Sequence, residues 1–106
     1  MSSRNLTTGE IALAKKIFKG SIAYERVRIH DEAYVFFQPN NSGMTPNGEI
    51  YVTGGCPADY STAESHFRAF FIHEMTHVWQ FQLDVLNKWR AQSRLFTGGS
   101  SAPVLT

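Results

Sequence analysis

Three residues have the types and spacing for hydrolytic chemistry: His73, Glu74 and His77, inside the run FFIHEMTHVWQFQ at positions 70–82. On a helix, two histidines four positions apart lie about 40° apart around the axis and one turn apart along it, so their imidazoles converge on one point. Neutral imidazole is a good ligand for Zn²⁺. In this arrangement the carboxylate beside the pair stays off the metal and hydrogen-bonds the attacking water. The pattern therefore predicts two metal ligands, His73 and His77, with Glu74 as general base. The competing reading is a polar cluster satisfied by hydrogen bonds in a core helix, with no metal.

The apolar residues of the same segment weigh against that competing reading. Phe71, Met75, Val78, Leu86 and Trp89 lie roughly opposite His73 on a helical wheel and predict the core-facing side. With that face supplied, His73, Glu74 and His77 are predicted to face away from the core, and burying three titratable groups without partners would be costly. The polar stripe continues through His66, Gln80 and Asp84. His66 and Asp84 each stand seven positions from a motif histidine. That is roughly 10.5 Å of helix rise, so neither can share an ion with the pair while the helix is continuous. They are expected to line a groove or to hydrogen-bond the site from outside, or else to form a solvated helix edge.

The elements that must position this helix are legible upstream. Thr7-Thr-Gly-Glu10 reads as a capping box, and the apolar spacing behind it predicts a first helix over about 8–18, with Gly20 as its stop. Residues 21–30 alternate in a β-type pattern, 34–38 form a second short apolar run, and 49–53 a third between Pro46-Asn-Gly48 and Gly54-Gly55. Ser61-Thr-Ala-Glu64 reads as a second capping box, opening a long helix that reaches about Gln92. The expected fold class is α+β: an N-terminal helix, a small three-stranded sheet and the long motif-bearing helix. Residues 1–94 are expected to form one domain, or the front portion of a longer one, and 95–106 a flexible tail.

Composition narrows the partners. The chain has 106 residues, 42% of them hydrophobic, which suits one compact core. Ten Lys and Arg against nine Asp and Glu give a formal charge of +1, which offers no electrostatic basis for binding nucleic acid or an anionic membrane. The lone Cys56 has no partner for an internal disulfide. MSSRNLTTGE lacks the apolar region of a cleavable signal peptide, and no run approaches the roughly 18 apolar residues of a membrane span.

Taken together, the segments LTTGEIALA at 6–14, Ile17-Phe18, Ile22, Tyr24, Val27-Arg-Ile29, Ile50-Tyr51 and FIHEMTHVWQ at 71–80 resemble zincin-like metallopeptidase domains of bacterial type VI secretion proteins. These include Vgr-related domains and toxin domains fused to spike proteins. The likeness runs over about 6–82 and is most specific in the motif block. It implies a zincin-like fold, Zn²⁺ as cofactor, hydrolysis of peptide bonds in a peptide or protein substrate, and an antibacterial effector role. It further implies a secretion-system spike or an immunity protein as partner, with delivery from the bacterial cytoplasm to a target-cell periplasm. Position by position, His73 and His77 match the zinc ligands and Glu74 the catalytic base.

The chain departs from that family in its third ligand, which zincins of this kind take from an acid or histidine downstream of the motif. Beyond His77 only Asp84 remains as an acid, there is no further histidine, and Leu83 stands where the metzincin extension would place one. The ligand is therefore expected from a longer domain, from a second subunit in a dimer, or from an upstream loop, where His30, Asp31, Glu32, Cys56 and Asp59 are the candidates. Tyr51, Tyr60 and His30 are the candidates for an oxyanion partner, and the strand at 50–53 is expected at a sheet edge, where an extended substrate would pair. The alternative function is a non-catalytic zincin-like module that binds a partner protein.

Overall fold

Thr7 and Glu10 cap the first helix reciprocally, as their spacing requires. The Thr7 hydroxyl accepts from the Glu10 amide at 3.0 Å, and Glu10 Oε1 accepts from the Thr7 amide at 2.9 Å. The computed structural model describes residues 3–35, 38–40 and 42–96, with side chains up to Gln92. In it, α1 spans Thr8–Phe18 and buries Ala14 and Glu10. The chain leaves α1 through Lys19 at φ 54°, so the positive φ falls on Lys19 and not on Gly20.

Four short strands make one sheet in the order β1-β2-β4-β3: β1 (Ser3–Asn5), β2 (Arg28–His30), β3 (Gly43–Met44) and β4 (Ile50–Val52). β1 and β2 are antiparallel, β2 and β4 parallel, and β3 and β4 antiparallel. The sheet thus has four strands where three were expected. β1 and β3 carry almost no apolar residues, so neither has a periodicity to reveal it; they are strands because a neighbour supplies their hydrogen-bond partners. Residues 21–30 do not form one strand, since Tyr24–Arg26 makes a 3-10 turn and only Arg28–His30 pairs. In the run 34–38, Tyr34 and Val35 lie in bends, while residues 36 and 37 fall outside the described residues.

The long helix α2 spans Ser65–Phe96, and at roughly 1.5 Å per residue its 32 residues reach about 48 Å. The molecule's longest extent is 50 Å, so α2 sets its length. The second capping box does not form: Tyr60–Thr62 is a 3-10 turn capped by Asp59, and Ser61 bonds Asp59. α2 opens one turn later, where the Glu64 carbonyl accepts from Phe67 and Arg68. It also runs past Arg94, so the boundary expected there lies within a helix; residues 97–106 are outside the described ones.

One core joins these elements. Phe71, Met75 and Val78 of α2 cluster with Val27, Ile29, Ile50 and Val52 around the sheet, Ala14 of α1, and Leu6, Ile22, Tyr24 and Tyr60. Burying each of the Val, Ile, Leu, Phe and Met side chains among them contributes about 1.5–3 kcal/mol. Leu86 and Trp89, expected on the same core face, are 40% and 52% exposed. They continue the apolar stripe, but neither is part of the core cluster. Near that boundary the Gln82 side chain bonds both backbone groups of Ala23, at 2.8 and 3.3 Å. Among the described residues no helix is long and apolar enough to cross a membrane.

A half-buried ion pair fastens the N-terminal part. Arg4 makes two 2.8 Å hydrogen bonds to the Glu10 carboxylate, which also accepts from the Tyr60 amide at 2.8 Å. Glu10 is fully buried, and the hydrogen bond to it raises the Arg4 guanidinium above its ordinary value. One carboxylate thereby holds β1, the start of α1 and the 3-10 turn ahead of α2.

Candidate metal-binding and catalytic site

His73 and His77 occupy successive turns of α2 on its outer side, with ring centroids 4.9 Å apart and planes at 84°. Both are exposed, the His73 side chain by 69%. Two rings at this separation can turn a nitrogen each towards one ion, since Zn–N bonds are about 2.0–2.1 Å. The donor set suits Zn²⁺ for two of its ligands.

Glu74 does not share that outer face. It is only 5% exposed, because β3 and the residue after it close over this flank of α2. The Thr45 hydroxyl donates to Glu74 Oε1 at 2.7 Å, while Glu74 Oε2 stands 4.0 Å from His73 Nε2. The expectation that all three polar residues face away from the core therefore holds for the histidines alone. The carboxylate is sunk into the protein beside them, with one oxygen held by Thr45 and the other on the side of His73.

β3 achieves this by close approach. A Cβ on Gly43 would lie 2.5 Å from Phe70 Cζ and 3.2 Å from the Glu74 carboxyl carbon, so only glycine lets the strand lie this near the helix. Gly43 and Thr45, which border Glu74, are not among the residues singled out from the sequence. The only signal for them was a glycine in a polar stretch without periodicity.

The other expected residues are dispersed. Asp59 caps the 3-10 turn, accepting from Ser61 and Thr7. The Ser61 hydroxyl bond, above all, holds its carboxyl below the usual carboxylate range. His30 stacks on Tyr51 at 4.2 Å and pairs with Glu49 at 2.5 Å, with Glu32 at 3.9 Å. In β2 and β4, Ile29, Ile50 and Val52 are buried in the core, so the alternating His30 and Tyr51 stand on the opposite face of the sheet from α2. Burial, with Glu49 and Tyr34 nearby, raises the Tyr51 hydroxyl above its ordinary value. His66 and Asp84 are exposed on α2. Asp31 and Cys56 line a separate hollow with Arg4, where the Cys56 thiol lies 3.5 Å from the Pro57 carbonyl. Burial pushes the Tyr60 hydroxyl strongly up. Among the described residues no three or more His, Cys, Asp or Glu side chains come together as a metal site. The strand expected at the edge, β4, is interior, and β3 occupies that edge.

The chain is thus a small α+β domain with an exposed histidine pair and a buried carboxylate on its longest helix. No protein-family model matches it. It is 47% identical over 83 residues, 76% of its length, to the type VI secretion system spike protein VgrG2b of Pseudomonas aeruginosa, of which it spans 8%. Its structure matches that of the effector domain of P. aeruginosa VgrG2b with a TM-score of 0.76 and 38% identity, over 99% of this chain and 62% of that one. The chain is homologous to the VgrG2b effector domain.

Proposed function

We propose that this chain is a zincin-like, zinc-dependent metallopeptidase domain acting as a type VI secretion effector. The observation that carries the reading is the pairing of two outward imidazoles with a buried, oriented carboxylate one residue away. Homology to the effector domain of a spike protein supports the secretion context, with association with a spike and a neutralising immunity protein as the corresponding partners. His73 and His77 would hold the ion, whose chemistry is to acidify water and polarise a peptide carbonyl. Glu74 accepts the proton of the attacking water on Oε2, the oxygen not engaged by Thr45, and passes it to the leaving amine. An extended peptide would add to the outer side of β3, which pairs on its other side with β4. Among the described residues no third His, Cys, Asp or Glu side chain joins the pair in a metal site.

The two-donor geometry favours a second reading, a non-catalytic module that binds a partner protein, because catalytic zinc sites keep three protein ligands. Elemental analysis and peptide cleavage by wild type, His73→Ala and Glu74→Ala separate the two. The enzyme reading expects zinc in wild type and Glu74→Ala, its loss in His73→Ala, and cleavage by wild type alone. A zinc-loaded wild type that cleaves no peptide leaves the binding module, and a wild type that takes up no zinc sinks the metal site.

A further inference from the structure

Ile29, Ile50 and Val52 turn to the core that the sheet shares with α1 and α2, so the residues alternating with them stand on the opposite face. Among the described residues neither α1 nor α2 packs on that face. The strand register sets four of its residues in one row across all four strands: Ser3 beside His30, His30 beside Tyr51, and Tyr51 beside Met44. His30 stacks on Tyr51 with ring planes at 7°, and Tyr34, from the bend after β2, meets Tyr51 at 5.0 Å and 64°. Three rings thus form one platform, whose outer member, Tyr34, is 42% exposed.

Charge borders this platform unevenly. The side chains of Glu32 and Glu49, on either nitrogen of His30, are 29% and 38% exposed. Arg28 is turned towards β1, where it donates to Asn5 Oδ1 at 2.9 Å and Ser3 Oγ at 2.8 Å. A solvated strand face needs only polar residues, whereas contiguous tyrosine rings rimmed by charge are the composition of a protein interface. Two outward carboxylates repel nucleic acid and anionic lipid, and they attract a cation. The complementary occupant is a polypeptide segment that carries lysine or arginine beside an apolar side chain.

We propose that the outer face of the sheet is a docking surface for a basic protein partner, whose apolar side chains rest on Tyr34 and Tyr51 while its lysines or arginines meet Glu32 and Glu49. The surface lies across the sheet from α2, so its occupant leaves His73, Glu74 and His77 open, and the inference does not rest on the peptidase reading. The probes are acetyl-Lys-Leu-Lys-Tyr-Lys-amide, its glutamate counterpart acetyl-Glu-Leu-Glu-Tyr-Glu-amide, and acetyl-Lys-Ser-Lys-Ser-Lys-amide. Each is titrated into the full chain with a chelator present and followed by NMR.

The first peptide is expected to shift the signals of Tyr34, Tyr51 and Met44, to bind about tenfold or more tighter than the other two, and to weaken as salt is raised. Tyr34→Ala should lower its affinity about fivefold or more. Glu32→Gln should lower it about twofold and reduce the salt dependence. Both positions lie outside the core, so the variants are expected to fold as the wild type does. Equal affinities for the three peptides, no binding at millimolar concentration, shifts confined to α2, or an affinity indifferent to both substitutions would each overturn the surface. Self-association of the wild type that Tyr34→Ala abolishes would give the face to a second copy and overturn the assignment of a basic partner.

Discussion

Thr45 donates its hydroxyl to Glu74 Oε1 at 2.7 Å, reaching from the end of an edge strand to a carboxylate buried in the flank of the long helix. The bond fixes which oxygen of Glu74 is free. It also ties the Glu74 carboxylate to the residue that follows β3, so strand position and carboxylate orientation are coupled.

Thr45→Val should leave a buried carboxylate oxygen without its donor, costing about 1–3 kcal/mol. The expected result is a lower thermal midpoint and, in the peptidase reading, a kcat reduced by about tenfold or more with a shifted pH profile. Thr45→Ser restores the hydroxyl and should recover most of both. Equal behaviour of the Val and Ser variants would refute the positioning role.

Gly43→Ala places a methyl where Phe70 and Glu74 already stand, at 2.5 and 3.2 Å. Overpacking of this kind costs about 1–3 kcal/mol. Either β3 or the Phe70 ring must move, and a shift of β3 would carry Thr45 away from Glu74 as well. Urea unfolding should show the destabilisation; a neutral substitution would mean that β3 does not lie against the helix.

Arg4→Ala removes the charged partner of Glu10, which is wholly buried. Breaking a buried ion pair from one side costs on the order of 3 kcal/mol. The loss should appear as a lower urea midpoint. His73 and His77, on a different part of the molecule, should keep whatever zinc affinity the wild type has, measured on the folded fraction.

Acid should loosen the turn that leads into α2. The Ser61 hydroxyl and the further bonds from the Ser61 amide and Thr7 hold the Asp59 carboxyl below its ordinary range. A lowered folded-state pKa contributes stability that is present above the unfolded value of about 3.9 and is lost as pH falls through the folded value. Stability of the wild type should therefore fall more steeply below about pH 4 than that of Asp59→Asn, which lacks the titrating group. Parallel curves would refute the linkage.

Periodicity within one element is a local property, and the sequence by itself determined what depends on it: the first helix with its Thr7–Glu10 capping box, the long helix, and the outward pairing of His73 with His77. Contacts between distant segments decided the remainder. β1 and β3 are polar and become strands only through β2 and β4, so the four-stranded order has no counterpart in hydrophobic pattern. Glu74 stands about 100° from His73 on the wheel, and whether that flank is wet or dry depended on Gly43 and Thr45 lying across it. The same helical stripe is core at Phe71, Met75 and Val78 and exposed at Leu86 and Trp89. A helix pattern records which side is apolar, and only the tertiary structure sets how far along that side a partner extends.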